Sequence, residues 1–574
     1  MRLVIVGGVA GGMSCAARAR RLDENADIIV LDQGKYVSFA NCGLPYYVGG
    51  EIEDAGSLLL HTPDSLRGWL NLDVRTEYRV SAVDYAAHEL TVETPNGTEI
   101  IGYDVLVLSP GGEAALPPVP GLAEARDAGA AVHTLRTVDD ARALRALAES
   151  GGAAVVIGGG FIGMEAAEAL ANQGLETHVV ETAEHILPPL EREMATLATD
   201  EAERLGIKVH AATGAQQVEY RAGNTESPLN VRLSNGETLE ADLVVVSAGV
   251  KPLTSVFTEA GVAAERGAII IDEHGRTNIE NVYAVGDATL SRNAVTGVPG
   301  VVALAGPANR AGRLVADHIF RGNTADNPAR PIPASEGTAI VRIGDLAAAM
   351  TGANRAQLDA AGVTYKTIHL HPNQHAGYFP GAKPIHLIIH FETPGGRLLG
   401  AQAIAEDGAD KRIDVLATAI RAGMSVRDLI DLDLSYSPPY GNAKDAINMA
   451  GLVGSNVLDG VLELMYPEQV TDLGEDWAVL DVRSEREFGL GHLPDAINIP
   501  HTELRERLPE LAELVGEPGT PGAKKLAVMC AVGVRAWIAY QVVRQAGWDG
   551  RMISGGINTL YEWYGPQIAD LLEI

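Results

Sequence analysis

The sequence predicts an α/β chain of several domains built on parallel sheets. Its 574 residues exceed what one core can bury, and the usual scale of about 100 to 200 residues per domain implies three or more domains. Its apolar runs, such as 153–157 and 243–246, have the length and continuity of strands buried on both faces of a parallel sheet. Twice, such a strand runs into a glycine-rich turn that opens a helix, followed by another strand.

Composition narrows the class. Hydrophobic residues make up 46% of the chain and charged residues 21%, the balance of a globular protein. No apolar run approaches a bilayer span, and Met1 leads straight into the strand-like Arg2-Leu-Val-Ile-Val6, so neither a membrane segment nor a secretory leader is expected. A net charge of -31 leaves no basic stripe to displace phosphate counterions, which excludes nucleic acid as a partner. The three cysteines, Cys15, Cys42 and Cys530, lie far apart with neither CxxC nor metal-ligand spacing. No metal site and no disulfide framework are expected, and a reducing cytoplasm is the expected location.

The first unit runs from Leu3 to Asp32, with the turn Gly7-Gly-Val-Ala-Gly-Gly12 between strand and helix. Gly7 permits the tight turn and Gly12 close helix packing, while the helix N-terminus receives a pyrophosphate. Asp32, twenty residues beyond Gly12, is placed to accept from a ribose hydroxyl. Val9 takes the place of the middle glycine, so the backbone there approaches phosphate less freely. Cys15, on the following helix, reads as a packing residue.

The second unit is complete: Gly158, Gly160 and Gly163 form GxGxxG between a strand and a helix, and the next strand ends at Glu181, eighteen residues past Gly163. An acid there accepts from a free 2′-hydroxyl and repels a 2′-phosphate, which favours NADH and leaves NADPH possible. Two Rossmann-like units in one chain are far more specific than one.

Between them lies Ser38-Phe-Ala-Asn41-Cys42-Gly-Leu-Pro45-Tyr-Tyr47. Ser38 and Asn41 can hydrogen-bond a sulfur, and Pro45 suits a first helical turn. A helix N-terminus beside Cys42 would lower its thiol from a reference pKa of about 8.5 toward a reactive thiolate. A buried structural cysteine is the alternative.

Two dinucleotide units followed by Thr277-Asn-Ile-Glu-Asn-Val-Tyr-Ala-Val-Gly286-Asp287 resemble the two-dinucleotide flavoprotein reductases. The resemblance implies FAD in the first unit, the nicotinamide in the second, and Asp287 on the flavin ribityl chain. Most disulfide reductases of this class show CxxxxC where this chain has Cys42 alone. Its segment resembles the single-cysteine branch: coenzyme A disulfide reductases, NADH oxidases and NADH peroxidases. That resemblance covers residues 1 to about 450. It implies an FAD-binding domain at 1–115 and 251–325, an NAD(H)-binding domain at 116–250, an α+β dimerisation domain at 326–452, and a homodimer. It also implies that Tyr378 and Tyr436, with Tyr440 in reserve, reach the partner subunit's active site beside the substrate sulfurs; tyrosines that merely pack are the alternative. Coenzyme A needs anchors for its phosphates, and Arg18, Arg20, Arg21, Arg67 and Arg75 are candidates unless they form a solvated face.

Beyond residue 453 the pattern changes. Asp481-Val-Arg483, Glu487, Gly491-His492-Leu-Pro494, Asn498-Ile-Pro500, Cys530-Ala-Val-Gly533-Val-Arg535 and Ser554-Gly-Gly556 resemble an α/β rhodanese domain spanning 453–574. Here a strand delivers Cys530 to a loop whose N–H groups would face an anionic sulfur at a helix start, and Arg535 would add fixed positive charge to guide an anionic donor. Together the resemblances imply NADH-dependent reduction of coenzyme A persulfide, polysulfide or coenzyme A disulfide through Cys42, with sulfane sulfur carried on Cys530. Two rivals remain: an NADH oxidase or peroxidase using a Cys42 sulfenic acid, and a non-enzymatic sulfur carrier or sensor.

Overall fold

The computed structural model describes residues 1–221, 223, 228–324 and 328–573. Two compact units result, one of Met1–Leu187 with Ala202–Gly337 and one of Pro188–Glu201 with Thr338–Ile574.

The first unit holds both glycine-turn motifs. Strand Arg2–Val6 lies at the centre of a parallel sheet ordered Val282–Ala284, Val105–Leu108, Arg2–Val6, Asp27–Asp32, Asp73–Thr76. The apolar runs Leu3 to Val6 and Val105–Leu108 are buried on both faces, as continuous runs require. Helices Ala10–Leu22 and Ala305–Arg321 cover one face through Ala16, Ala19, Ala311 and Val315, small residues that let helix and sheet come close. A second parallel sheet follows, ordered Lys208–His210, Glu176–Val180, Ala153–Ile157, Leu243–Val246, Val132–His133. The last strand of the first sheet therefore arrives only after the second sheet is complete. Cys15 is fully buried in the first core, as its packing role predicts, and desolvation raises its thiol to about 12.

The second unit begins with an antiparallel sheet ordered Ala339–Ile343, Leu346–Gly352, Leu398–Ala405, Ile385–Glu392, Tyr365–Leu370. Helices Ala409–Arg421 and Ala446–Leu458 pack Leu416 and Ile447 onto Leu387 and Phe391. A parallel sheet follows, ordered Leu464–Met465, Gly550–Ile553, Lys525–Met529, Trp477–Asp481, Ile497–Asn498, flanked by helices Leu508–Val515, Val534–Gln545 and Gly556–Tyr564. The segment Pro188–Glu201 joins this unit through buried charge. Glu191 accepts from the Arg355 backbone N–H at 2.7 Å and lies 3.0 Å from His390 Nε2. Glu193 accepts from Arg355 Nη1 and Nη2 at 2.9 and 2.8 Å and lies 3.0 Å from His369 Nε2. Among the described residues no helix is long and apolar enough to cross a membrane.

Candidate functional site

The two glycine turns share one geometry. Gly7 has φ +106°, and a Cβ there would lie 1.8 Å from Ser109 O; Gly158 has φ +109°, with Ser247 O at 2.3 Å. At Gly12 and Gly163 a Cβ would stand 1.9 Å from the carbonyl oxygens of Gly7 and Gly158, so both helices start flush against their own turns. Gly8 N–H donates to Asp32 Oδ2 and Gly159 N–H to Glu181 Oε2, each at 2.7 Å. The two acids thus brace the turns, and burial raises the Asp32 carboxyl against the opposing pull of the Gly8 and Gly34 N–H groups. Gly160 has open space where a side chain would stand. These cradles of backbone N–H at helix starts fit a dinucleotide pyrophosphate in each unit.

Cys42 is exposed and free, at the middle of the single turn Asn41–Gly43 that runs into helix Leu44–Val48, with Pro45 in its first turn. The expected helix start is present; the expected fall in pKa is not. Desolvation pushes the Cys42 thiol up, Glu165 adds to the rise, Arg136 opposes it and Asp287 reinforces it. A helix of five residues carries little dipole, and its pull yields to the lost water and nearby acids. Glu165, on the helix Phe161–Asn172 of the second glycine unit, also accepts from Tyr46 Oη at 3.3 Å. Arg136 Nη2 donates to Asp287 Oδ2 at 3.3 Å and its Nε to Gly112 O at 3.2 Å. The structure therefore gathers Asp287, Arg136 and Glu165 around the thiol, and the latter two were invisible in the sequence because no motif ties them to Cys42. Among the described residues no hydrogen bond joins Ser38 or Asn41 to the Cys42 sulfur. Ser38 takes φ +47° and its N–H donates to Gly8 O at 2.8 Å, while Asn41 Oδ1 is buried without a partner, an acceptor a ligand N–H or O–H would satisfy.

Tyr378 and Tyr436 stand 58 residues apart in sequence, yet their hydroxyls lie 3.2 Å from one another. They are 77% and 48% exposed, so neither packs in the core of its own chain, and Tyr440 is 74% exposed. The hydrogen bond shared with Tyr436 raises the Tyr378 phenol above its ordinary value.

The arginines divide. Arg20 is buried and donates to the carbonyls of Leu70, Asp23, Glu24 and Asn71 at 2.8 to 3.2 Å, which ties a helix end to a loop. Arg18 is paired with Asp317 at 2.5 Å and Arg75 with Asp73 at 2.7 Å. Arg20 is thus a structural group and not a phosphate anchor, while Arg18 and Arg75 are ion-paired within the fold and remain partly exposed. Arg21 is exposed, and Arg67, 62% exposed at its side chain, has only Asp64 at 4.0 Å.

In the second unit, strand Lys525–Met529 delivers Cys530 to the turn before helix Val534–Gln545. The thiol is fully buried, and Gly533 N–H donates to Sγ at 3.1 Å. Ile557 N–H and Asn558 N–H donate to the carbonyls of Cys530 and Ala531 at 2.9 and 3.2 Å. The Arg535 guanidinium faces Glu487 through two hydrogen bonds and also lies within hydrogen-bonding and electrostatic reach of the Cys530 sulfur. Behind the turn, Arg483 is locked onto Asp481 and Gly491 O, and Asn498 Nδ2 donates to the carbonyls of Asp481 and Arg483.

Comparison with known proteins matches this architecture piece by piece. Residues 1–312 match the pyridine nucleotide-disulphide oxidoreductase model, 338–446 its dimerisation domain and 466–562 the rhodanese-like domain. Coenzyme A disulfide reductase of Staphylococcus aureus is 30% identical over 458 residues, 78% of this chain and 99% of the relative. Its Staphylococcus epidermidis counterpart is 31% identical over the same span. The solved structure of reduced CoADR-RHD from Bacillus anthracis superposes with a TM-score of 0.92 at 35% identity over 100% of this chain and 99% of that one. An NAD-dependent persulfide reductase from A. fulgidus does so with a TM-score of 0.87 at 34% identity, covering 97% and 100%. The two glycine cradles, the exposed Cys42 and the buried Cys530 turn thus sit in a chain that belongs to the pyridine nucleotide-disulphide oxidoreductases, with that family's dimerisation domain and a rhodanese-like domain.

Proposed function

We propose that this chain is an FAD- and NAD(P)H-dependent reductase of sulfur–sulfur bonds in coenzyme A persulfide, polysulfide and coenzyme A disulfide. The observation that carries the reading is Cys42, an exposed free thiol within the fields of Asp287, Arg136 and Glu165, in a chain whose relatives reduce coenzyme A disulfide or persulfide.

FAD held at the first cradle (Gly7, Gly12, Asp32, Asp287) and NAD(P)H at the second (Gly158, Gly160, Gly163, Glu181) supply the electron pair. The chain's own residues do the rest. Cys42 loses its proton, a step Arg136 favours and Glu165 opposes, and the thiolate attacks the substrate sulfur–sulfur bond. Attack yields a mixed disulfide or persulfide on Cys42 and expels a thiolate. Tyr378 and Tyr436, supplied by the second copy in a homodimer, protonate that leaving sulfur, and the phenolate left behind accepts the hydrogen bond of the other hydroxyl until it is reprotonated from solvent. Tyr440, Arg21 and Arg67 would meet the coenzyme A moiety. Asn41, with its unpaired buried oxygen, and Ser38 line the first cofactor site.

The Cys530 thiolate takes the outer sulfur of thiosulfate or a persulfide, expelling sulfite or a thiolate, holds it as a persulfide by the Gly533 N–H, and passes it to the thiolate of a small thiol, which regenerates the Cys530 thiolate. The rhodanese-like domain favours this reading over an oxidase, since oxygen or peroxide reduction has no use for a second sulfur-handling turn. The domain limits 1–115 with 251–325, 116–250, 326–452 and 453–574 belong to this proposal, as do the homodimer and a cytoplasmic location, which the three free cysteines support.

The test is anaerobic and aerobic NADH oxidation against coenzyme A persulfide, coenzyme A disulfide, polysulfide and peroxide. Turnover with the sulfur substrates without oxygen supports the proposal. Turnover with oxygen or peroxide alone would replace it with the oxidase reading, and none at all would leave the carrier.

A further inference from the structure

His371, His386 and Glu562 converge where the antiparallel sheet of the second unit meets the helix Gly556–Tyr564. His386 lies in strand Ile385–Glu392 and His371 directly follows strand Tyr365–Leu370, in the register that pairs Leu370 with Leu387. The register sets the two imidazoles side by side on neighbouring strands, and the helix lowers the carboxylate between them. His371 Nδ1 is 3.2 Å from His386 Nδ1 and 3.4 Å from Glu562 Oε1, and His386 Nδ1 is 2.5 Å from that same oxygen. The side chains of His371 and Glu562 are 1% and 4% exposed, and that of His386 17%.

Hydrogen bonds do not exhaust this cluster. A neutral imidazole carries one N–H. In the tautomer that carries its proton on Nε2 and donates it to the Thr559 hydroxyl at 2.8 Å, His371 turns Nδ1 as a lone-pair nitrogen toward His386 and Glu562. One proton on His386 then serves two acceptors. Glu562 Oε2 is buried with no hydrogen-bond partner, and no lysine or arginine pairs with this carboxylate among the described residues. An unpaired carboxylate oxygen out of water is costly, and such a group calls for a cation.

The spacing suits one. Ligands bound at about 2.0 to 2.2 Å in a tetrahedron stand about 3.3 Å apart, which two of the three separations already meet. The Thr559 contact is the outer partner that fixes a ligating histidine's tautomer. Imidazole with carboxylate selects a zinc-class transition ion over magnesium or calcium.

We propose that His371, His386 and Glu562 form a site for one divalent zinc-class cation that ties helix Gly556–Tyr564 to the sheet, with water completing the coordination on the partly exposed His386 side. The position gives it a consequence. A Cβ on Gly556, the first residue of that helix, would stand 2.3 Å from Cys530 O, and one on Gly555 would stand 2.9 Å from His371 Nε2. The cation therefore braces the wall of the Cys530 turn. None of the three ligands takes part in the proposed reduction at Cys42, so cation uptake and reductase activity are read independently.

The experiment uses the full chain, stripped with a chelator and titrated with Co2+, then Zn2+. The expected result is one Co2+ per chain with visible ligand-field bands and no sulfur-to-cobalt charge transfer, displaced by Zn2+, and a thermal midpoint that rises with Zn2+. Glu562→Gln, which keeps the side-chain shape, should lose both the bands and the Zn2+ response. His386→Ala, at the more exposed ligand, repeats the test if Glu562→Gln does not fold. No uptake by the wild type, a charge-transfer band reporting thiolate ligation, or unchanged uptake in a folded variant would each overturn the site.

Discussion

Arg535 and Glu487 close on one another through two hydrogen bonds, Nη1 to Oε2 at 2.8 Å and Nη2 to Oε1 at 2.6 Å, at the end of the Cys530 turn. The hydrogen bonds from Arg535 hold the Glu487 carboxyl at about 2, against an ordinary 4.5. Glu487→Gln should release the guanidinium charge toward an incoming anion and lower the thiosulfate KM of sulfur transfer by about fivefold, the effect of roughly 1 kcal/mol at a partly exposed site. A folded pKa below the unfolded one means stability present above pH 4.5 and lost as pH falls toward about 2. Urea midpoints of wild type and Glu487→Gln should therefore differ at neutral pH and converge through that window. A constant difference would show that the pair does not couple to protonation.

At Cys42 the sign of the field can be tested directly. A carboxylate near a thiol disfavours the thiolate, so Glu165→Gln should move the pH dependence of Cys42 alkylation to lower pH. Arg136→Met should move it up. Cys42→Ser should abolish NADH oxidation with every sulfur substrate, whereas Cys530→Ser should leave coenzyme A disulfide reduction intact and remove sulfur transfer. Loss of disulfide reduction in Cys530→Ser would end the division of labour proposed for the two thiols.

The paired hydroxyls of Tyr378 and Tyr436 make a prediction of their own. Both side chains are largely exposed, so Phe at either position should leave the thermal midpoint unchanged. Each should lower kcat for coenzyme A disulfide by about a hundredfold, the lower end of the usual range for a lost general acid. Because the hydroxyls share one hydrogen bond, the double variant should lose less than the product of the single losses. Full additivity would mean the two phenols act separately.

The two glycine units, the Gly286-Asp287 segment and the Cys530 turn were legible because each is written in contiguous residues whose spacing is itself the geometry. A Cβ at Gly163 meets Gly158 O within the same turn, so sequence spacing and contact are one fact. What the sequence hid lies between distant residues. Arg20 looked like one of three surface cations on a helix, and its burial depends on the loop carbonyls of Leu70 and Asn71 arriving from elsewhere. Glu165 reaches Cys42 from the helix of the other dinucleotide unit, and Glu487 finds Arg535 across 48 residues. His371, His386 and Glu562 escaped for the same reason, since none sits in a spacing that marks metal ligands. The thiol's direction of shift was misjudged because a helix start was legible while its length and its acidic neighbours were not.

The second dinucleotide turn separates two kinds of glycine. At Gly163 an added Cβ would lie 1.9 Å from Gly158 O, backbone that cannot yield, so Gly163→Ala should fail to fold or lose thermal stability sharply. At Gly160 φ is -75° and the space is open, so Gly160→Ala should fold with an unchanged midpoint and instead raise the NADH KM. A normal KM in Gly160→Ala would mean the nucleotide does not approach this backbone closely.

Glu193 carries the strictest test of the second unit's buried charge. Its side chain is fully buried, and burial by itself would raise its carboxyl, yet the His369 hydrogen bond and the Arg355 charge outweigh it and hold the group well below the ordinary carboxylate range. Glu193→Gln removes the charge while keeping the shape, which leaves Arg355 with Glu191 at 3.2 Å and the more distant Glu468, and His369 without its carboxylate. Breaking one partner of a buried pair commonly costs about 3 to 5 kcal/mol, and the remaining Glu191 contact places this variant near the lower figure. Because the folded pKa is depressed, that contribution is present above the unfolded value near 4.5 and fades as pH falls below it. Denaturant unfolding at neutral pH should thus show the full loss, and the gap between variant and wild type should narrow in acid. The His369 ring also lies 2.7 Å from Ser554 Oγ, beside the Gly555-Gly556 turn that walls Cys530, so Glu193→Gln should in addition lower sulfur transfer at Cys530 under conditions where the variant remains folded.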